Sequence, residues 1–176
     1  MPVHVLIVYD DFGRILPPLA AAVEEGVSRV PGAQVVRRTL PEASPQDMLA
    51  ADAVILGSPN FSGLSGKLKA WLDSDEMEVL WENQPLRGKV GAAFVGGRSR
   101  LAGQEFTLLS LLHLFWAYGM IPVGVPWSDR TLTSSSYYGA AASRELTPED
   151  LEQARALGER VARVTVRLYI ENQERL

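Results

Sequence analysis

Cysteine is absent from the sequence, and histidine occurs only at His4 and His113, far apart in the chain. Disulfide bonds and thiolate metal sites are therefore excluded, because both need cysteine sulfur. Two separated histidines are too few for the usual zinc site made of protein ligands alone. We expect neither a disulfide bond nor a metal centre in this protein.

Long basic runs and long apolar runs are also missing. The longest basic run is Arg37–Arg38, and the net charge is −4 with a pI near 5.2. Such a chain is not expected to bind nucleic acid or an anionic membrane surface. The N-terminus has no basic segment, and its apolar run is too short for a signal peptide or a membrane helix. We therefore expect a soluble, cytoplasmic protein.

The chain has 176 residues, of which 47% are hydrophobic, and this length suits one domain spanning residues 1–176. Three apolar runs are nearly continuous: Val3–Tyr9, Asp52–Ser58 and Lys89–Gly97. Runs of this kind are typical of parallel strands that are buried on both faces. Two further strands are predicted at residues 33–40 and 120–126.

Helical patterns lie between these strands. We predict helices in the segments 14–30, 44–50, 65–74, 103–119 and 147–173, with 127–145 as a polar loop. Strands that alternate with helices predict an α/β fold, in which one five-stranded parallel sheet is doubly wound through right-handed crossovers. Ligands of such sheets bind at the carboxyl ends of the strands. Three loops qualify, at residues 10–15, 58–64 and 96–104.

Two common nucleotide-binding fingerprints do not fit these loops. The dinucleotide fingerprint needs three glycines after the first strand, but the loop there contains only Gly13. The segment "FSGLSGKL" has Phe61 at the first glycine position of a P-loop and Leu68 at the hydroxyl position. We therefore expect neither a Rossmann dinucleotide site nor a P-loop.

Several segments instead resemble the WrbA family of type IV NAD(P)H:quinone oxidoreductases, in order along nearly the whole chain. They are "VLIVYDDFGRI", "ADAVILGSPNFSGLSGKLKAWLDS", "LRGKVGAAFVGG", "AGQEFTLLSLL", "YGMIPVGVPWS" and "YYGAAAS". The resemblance implies a flavodoxin-like fold with strand order 2-1-3-4-5. It also implies non-covalent FMN, two-electron transfer from NAD(P)H to quinones, and a homo-oligomer, either a dimer or the tetramer of the family.

The resemblance also implies which residues bind the cofactor. They are Asp10, Asp11, Phe12, Gly13, Arg14, Ile15, Pro59, Asn60, Phe61, Ser62, Gly97, Arg98, Ser99 and Tyr118. Phe12 stands where the family has a tyrosine that meets the nicotinamide, and Tyr118 replaces a family histidine that often reaches a neighbouring subunit's site. Tyr118 and Trp81 are candidates for lining the substrate space. No side chain is predicted to be catalytic, because the flavin carries the redox chemistry.

Asp10 departs from the family pattern, which has a serine at this position of the phosphate loop. An ionised carboxylate cannot donate a hydrogen bond, and at about 4 Å it repels a phosphate charge by roughly 4 kcal/mol. Two interpretations are open. Arg14 could compensate by pairing with Asp10 or with the phosphate, or Asp10 or Asp11 could cap the first helix and use the N–H groups that a phosphate needs.

Three functions are compatible with these residues. The first is an FMN-dependent NAD(P)H:quinone oxidoreductase. The second is an electron carrier of the flavodoxin type, although such carriers present an acidic face where this chain has Arg98 and Arg100. The third is a family member with weakened or lost FMN binding that acts as a non-enzymatic oligomeric or regulatory protein. The two arginines are also candidates for binding an anion in place of the family's hydroxyl groups.

Overall fold

The computed structural model describes the backbone of residues 1–127 and 136–173 and the side chains of residues 1–127 and 136–170. In this part of the chain, all strand pairs are parallel and belong to one sheet. The strands are β1 (Val3–Tyr9), β2 (Ala33–Thr39), β3 (Ala53–Pro59), β4 (Val90–Gly96), β5 (Ile121–Pro122) and β6 (Ala140–Ala142). Their order is β2-β1-β3-β4-β5, and β6 also pairs with β4. The predicted doubly wound sheet with order 2-1-3-4-5 is confirmed.

The edge beside β4 differs from the sequence prediction, because two short strands share it. Ile121 pairs with Val90 at the start of β4, and Ala140 pairs with Phe94 near its end. The strand predicted at 120–126 is therefore limited to two residues, and β6 lies in a segment that was predicted to be a loop. Pro122 and Pro126 interrupt the segment 120–126. The three alanines of β6 form a run that is too short and too uniform to show a strand pattern.

Helices cover both faces of the sheet. They are α1 (Leu16–Ser28), α2 (Pro45–Ala50), α3 (Gly66–Leu72), α4 (Gln104–Ala117) and α5 (Pro148–Gln173), with 3-10 turns at Leu40–Glu42 and Asp75–Leu80. One apolar core lies between the sheet and α1 and α5, and a second lies between the sheet and α2, α3 and α4. Among the described residues, none of the helices combines the length and the apolar character that a membrane span requires.

Local signals in the sequence explain where several helices begin. Ser44 caps α2 by accepting a hydrogen bond from the Asp47 N–H at 3.3 Å, and Pro45 occupies the first helical position. Thr147 and Asp150 cap the start of α5 reciprocally, with N–H to side-chain distances of 3.0 and 3.2 Å. Both of these predicted starts are confirmed.

Helices α1 and α5 approach each other closely because each contributes a glycine. A Cβ added at Gly26 would lie 2.0 Å from the carbonyl oxygen of Arg155. A Cβ added at Gly158 would lie 2.0 Å from the carbonyl oxygen of Val23. The two backbones are therefore in direct contact, and this contact holds α1, which continues from the loop after β1.

Gly158→Ala tests this contact. In an exposed helix the change would add about 1 kcal/mol of stability through helix propensity. Here the added methyl group must push the two backbones apart, and such overpacking typically costs about 1–3 kcal/mol. We expect a lower urea midpoint. The control is Gly66→Ala at the start of α3, where no atom lies within 4 Å of the added Cβ. A raised midpoint for Gly158→Ala would contradict the contact.

Candidate functional site

Three loops meet at the carboxyl edge of the sheet, where the strand order reverses between β1 and β3. The Asp10 N–H donates to the Gly57 carbonyl at 3.1 Å, which joins the end of β1 to β3. The Asn60 N–H donates to the Gly96 carbonyl at 2.8 Å, which joins the end of β3 to β4. The structure thus brings together the residues predicted in the segments 10–15, 59–62 and 97–99.

The loop after β1 presents a row of backbone N–H groups. From Asp11 to Leu16, none of them donates to a backbone acceptor within the described residues. The N-cap of α1 is Ile15, and no side chain caps the helix. Gly13 has a φ of +79°, which glycine adopts without strain. Free N–H groups at a helix N-terminus attract an anion, so the backbone of this loop fits a phosphate group.

Asp10 is the exception in this loop. It is 2% exposed, and no hydrogen bond or ion pair reaches its carboxylate from the described part of the chain. The interpretation that Asp10 or Asp11 caps α1 is wrong, because the helix begins later and lacks a side-chain cap. Arg14 is exposed and forms no ion pair with Asp10, although both residues are described. Asp10 is therefore almost fully covered beside the N–H groups, and its carboxylate oxygens, which solvent still reaches, are not paired with a cation of the described residues.

The loop after β3 is held in place by Asn60. Its amide nitrogen donates to the Ala102 carbonyl at 2.7 Å, and its amide oxygen accepts from the Thr107 hydroxyl at 2.9 Å. Both ends of the side chain are thus used to connect this loop to the next loop and to α4. Asn60 accordingly acts on the site by positioning the loops, and its own amide is already engaged.

Two half-exposed aromatic rings lie at the mouth of the site. Phe12 and Phe61 pack edge to face with their centroids 5.0 Å apart, and they are 52% and 54% exposed. Phe12 comes from the loop after β1, and Phe61 comes from the loop after β3. Their free faces offer an apolar surface to a planar ligand.

Gln104 holds the loop after β4 in place, although in the sequence it stands out only as part of the segment "AGQEFTLLSLL". Its amide nitrogen donates to the carbonyl groups of Ser99 and Ala142, at 3.0 and 2.9 Å. A Cβ added at Gly97 would lie 2.8 Å from this nitrogen, so a side chain at 97 would displace it. Gln104 thus ties the loop to β6, a strand that was not predicted. Because β6 was not predicted, the sequence does not indicate this role of Gln104.

Arg100 does not serve as an anion partner in the way the sequence suggested. Its guanidinium makes two hydrogen bonds of 2.9 Å to Asp150, whose side chain is fully buried. This paired geometry attaches the loop after β4 to the start of α5. Arg98, in contrast, is exposed, and its predicted role at the cofactor stays a prediction, as does that of Ser99.

Tyr118 and Trp81 lie away from the three loops. Helix α4 starts at the carboxyl edge and spans about 21 Å, given its 14 residues. Tyr118 follows its last turn, three residues before Ile121, which pairs with the first residue of β4. The two rings are in contact, with centroids 4.4 Å apart. The structure therefore does not bring Tyr118 or Trp81 to the site of their own chain, and a role in a neighbouring subunit stays a prediction.

Tyr118 has a buried hydroxyl group without a hydrogen-bond partner. Burial, and secondarily the charge of Asp73, raises the pKa of Tyr118 to about 12. An unfolded chain ionises tyrosine near pH 10. The folded state therefore keeps the proton longer, and stability contributed by neutral Tyr118 is lost as the pH rises from about 10 towards about 12.

Tyr118→Phe removes this hydroxyl group while keeping the ring. Because a buried unpaired polar group costs about 1–3 kcal/mol, we expect the free energy of unfolding to rise by about 1 kcal/mol. The loss of stability above pH 10 should also become smaller. Urea unfolding at pH 7 and at pH 10.5 measures both effects. Tyr137→Phe, at a position 59% exposed, should change neither. Destabilisation by Tyr118→Phe would show that the hydroxyl group is satisfied.

The sheet order and the meeting of these three loops define a flavodoxin-like protein. Residues 21–130 match the model of the family described as NADPH-dependent FMN reductase. A relative from Archaeoglobus fulgidus, named NAD(P)H dehydrogenase (quinone), is 33% identical, covering 94% of this chain and 98% of its own. One of the same name from Geotalea daltonii is 31% identical with the same coverage. The chain thus belongs to the NADPH-dependent FMN reductase family.

Solved structures agree with this assignment. The structure described as a flavodoxin, WrbA-like protein from Agrobacterium tumefaciens, is 25% identical with a TM-score of 0.74, covering 94% of this chain and 98% of its own. A flavodoxin from the domain Archaea is 16% identical with a TM-score of 0.71, covering 93% and 99%. The second similarity supports the fold alone. The family and the fold that the sequence resemblance implied are both confirmed.

Proposed function

We propose that this protein is an oxidoreductase that passes two electrons from NAD(P)H to a quinone, with non-covalently bound FMN as cofactor. The observation that carries the proposal is the convergence of three loops at the switch point, where N–H groups without a backbone acceptor and two half-exposed rings come together. Relatives named NAD(P)H dehydrogenase (quinone) that cover 94% of the chain support the activity.

Separate parts of the site fit separate parts of the cofactor. The N–H groups of residues 11–16 would face the terminal phosphate, while Phe12 and Phe61 would flank the ring system. The N–H groups of Ser62 and Gly63 donate to no backbone acceptor in the described residues, so they are available to ring carbonyl groups. The carboxylate of Asp10, which is 2% exposed, does not fit an anion.

The protein's contribution is binding and electrostatics. Bound flavin would supply the two-electron redox chemistry, which side chains of these loops cannot supply. Arg14 and Arg98 are exposed on two of the loops, and their positive charge would favour the approach of an anionic dinucleotide. This charge is unlike the acidic rim expected of an electron carrier. The names of the relatives also favour the enzyme over a flavin-free protein.

Flavin binding and activity can be tested with the purified protein. We expect FMN fluorescence to be quenched on titration, and NADH or NADPH to be oxidised faster when benzoquinone is present. Phe61→Ala should weaken FMN binding by about tenfold, since a lost aromatic contact of about 1.4 kcal/mol corresponds to that factor. Ile170→Ala, which removes an exposed apolar side chain from the end of α5, should have no effect. Absence of binding at high micromolar FMN would overturn the proposal.

We also propose that the protein is a homo-oligomer, either a dimer or a tetramer. Helix α4 is apolar, yet Phe106 and Trp116 on its outer side are 74% and 57% exposed. With Leu109 and His113 they follow the spacing of one helix face. Exposed aromatic residues along one face are typical of a protein–protein contact, and the WrbA resemblance implies such an assembly.

Trp116→Glu tests the assembly. A charged side chain on this apolar face should dissociate the contact, so sedimentation velocity should show a smaller particle than for the unmodified chain. Ile170→Glu, which introduces the same charge at another exposed apolar position, serves as the control. A monomer in both the original protein and the variant would contradict the proposed oligomer.

A further inference from the structure

The buried carboxylate in the loop after β1 points to an unusual ligand preference. We propose that Asp10 removes the advantage of the flavin's terminal phosphate, so that this protein binds riboflavin about as tightly as FMN. The ligand class would then be a flavin whose side chain ends in an uncharged hydroxyl group. The inference rests on the proposed function, because it concerns the same flavin site.

The position of Asp10 is fixed by the sheet. Its N–H donates to the Gly57 carbonyl at 3.1 Å, directly after the last residue of β1. The side chain is 2% exposed, so it is not simply directed into solvent. The free N–H groups begin at the next residue along the chain. An anion that accepts their hydrogen bonds would therefore lie close to a buried carboxylate.

The start of α1 supplies fewer donors than a usual helix. Pro17 and Pro18 follow Leu16 in its first turn, and proline has no N–H group. Leu16 is then the only residue at the first three helical positions that can donate. The loop N–H groups remain, but the helix itself adds less to anion binding than the same turn would without the two prolines.

For a phosphate group, the repulsion by Asp10 is larger than the attraction by the helix N-terminus. Repulsion between two unit charges about 4 Å apart, at an effective dielectric constant near 20, corresponds to roughly a thousandfold in affinity. A helix N-terminus contributes on the order of tenfold at most sites. The repulsion is larger, so a dianionic phosphate gains little or nothing from this loop.

Neighbouring charges do not cancel the effect. In the same loop, Asp11 adds a further negative charge and Arg14 a positive one, and both side chains are exposed. Across the site, Arg98 is exposed as well, while Arg100 is held by Asp150. Residues 58–65 contain no charged side chain. Exposed guanidinium groups are screened by solvent, so they offset a buried carboxylate only in part.

A hydroxyl group suits the same position better than a phosphate. The Asp10 carboxylate accepts hydrogen bonds but cannot donate them, and no donor in the described residues reaches it. A terminal hydroxyl group of the ligand can donate to it, whereas an ionised phosphate cannot. The Asp10 oxygens still reach solvent, and a bound ligand that covers them is favoured if it supplies a donor in place of water.

The experiment compares two ligands across four proteins at pH 8, where the phosphate is a dianion. Dissociation constants for FMN and riboflavin are measured by fluorescence quenching. In the unmodified protein we expect the two constants to agree within about threefold. Asp10→Ser, and the isosteric Asp10→Asn, should tighten FMN by about a hundredfold or more while changing riboflavin by less than about tenfold.

Glu105→Gln is the control, because it removes one negative charge from an exposed side chain at the start of α4 that has no assigned role in binding. It should change the affinity for FMN by no more than about threefold, since an exposed charge is screened. An equal gain in Glu105→Gln and Asp10→Asn would show that net charge matters and the buried position does not, which would overturn the inference.

Other outcomes separate this inference from the proposed function. A preference for FMN above about thirtyfold in the unmodified protein would overturn the inference and leave the proposed function standing. Absence of binding of either flavin to any of the four proteins would overturn the proposed function itself. If both Asp10 variants failed to fold, as judged by circular dichroism, the ratio in the unmodified protein would decide alone.

Discussion

The pairing of β1 with β3 is the contact on which the site depends. Five consecutive residues of β1, from Val5 to Tyr9, pair in parallel with Ala53 to Gly57 of β3. Because the strands are parallel, both end at the same edge of the sheet. Because β2 lies on one side of β1 and β4 on the other side of β3, the chain leaves this edge in opposite directions. A crevice opens between the loops as a consequence.

Hydrogen bonds at the edge turn this crevice into a defined site. Asn60 connects the loop after β3 to the residues around Ala102 and Thr107, and Gln104 connects the loop after β4 to β6. The ion pair of Arg100 with Asp150 adds α5 to the same assembly. These polar side chains bond loop carbonyl groups and each other, and they connect the loops to α4, α5 and β6. Two aromatic rings and a row of N–H groups are presented as a result.

Charge at the site is distributed unevenly with depth. The positive groups Arg14 and Arg98 lie at the surface, whereas the carboxylate of Asp10 is buried. Solvent screens the exposed groups, which also include Asp11, more than it screens Asp10, so the site is most negative beside Asp10 while the rim carries charges of both signs. A dinucleotide approaching from solution and a phosphate placed within the loop thus meet different potentials. This separation is consistent with a site that admits anionic substrates at its rim.

The sequence by itself determined the α/β class, the strand order through the family resemblance, and the three loops, because continuous apolar strands, helix caps and motifs are encoded locally. It did not determine β6, whose three alanines become a strand only beside Phe94. Nor did it determine the partners of Gln104 and Arg100, or the distance of Tyr118 from the loops. These depend on which segments meet in space. Only the tertiary structure decided that Asp10 is buried, that it does not cap α1, and that it forms no ion pair with a cation of the described residues.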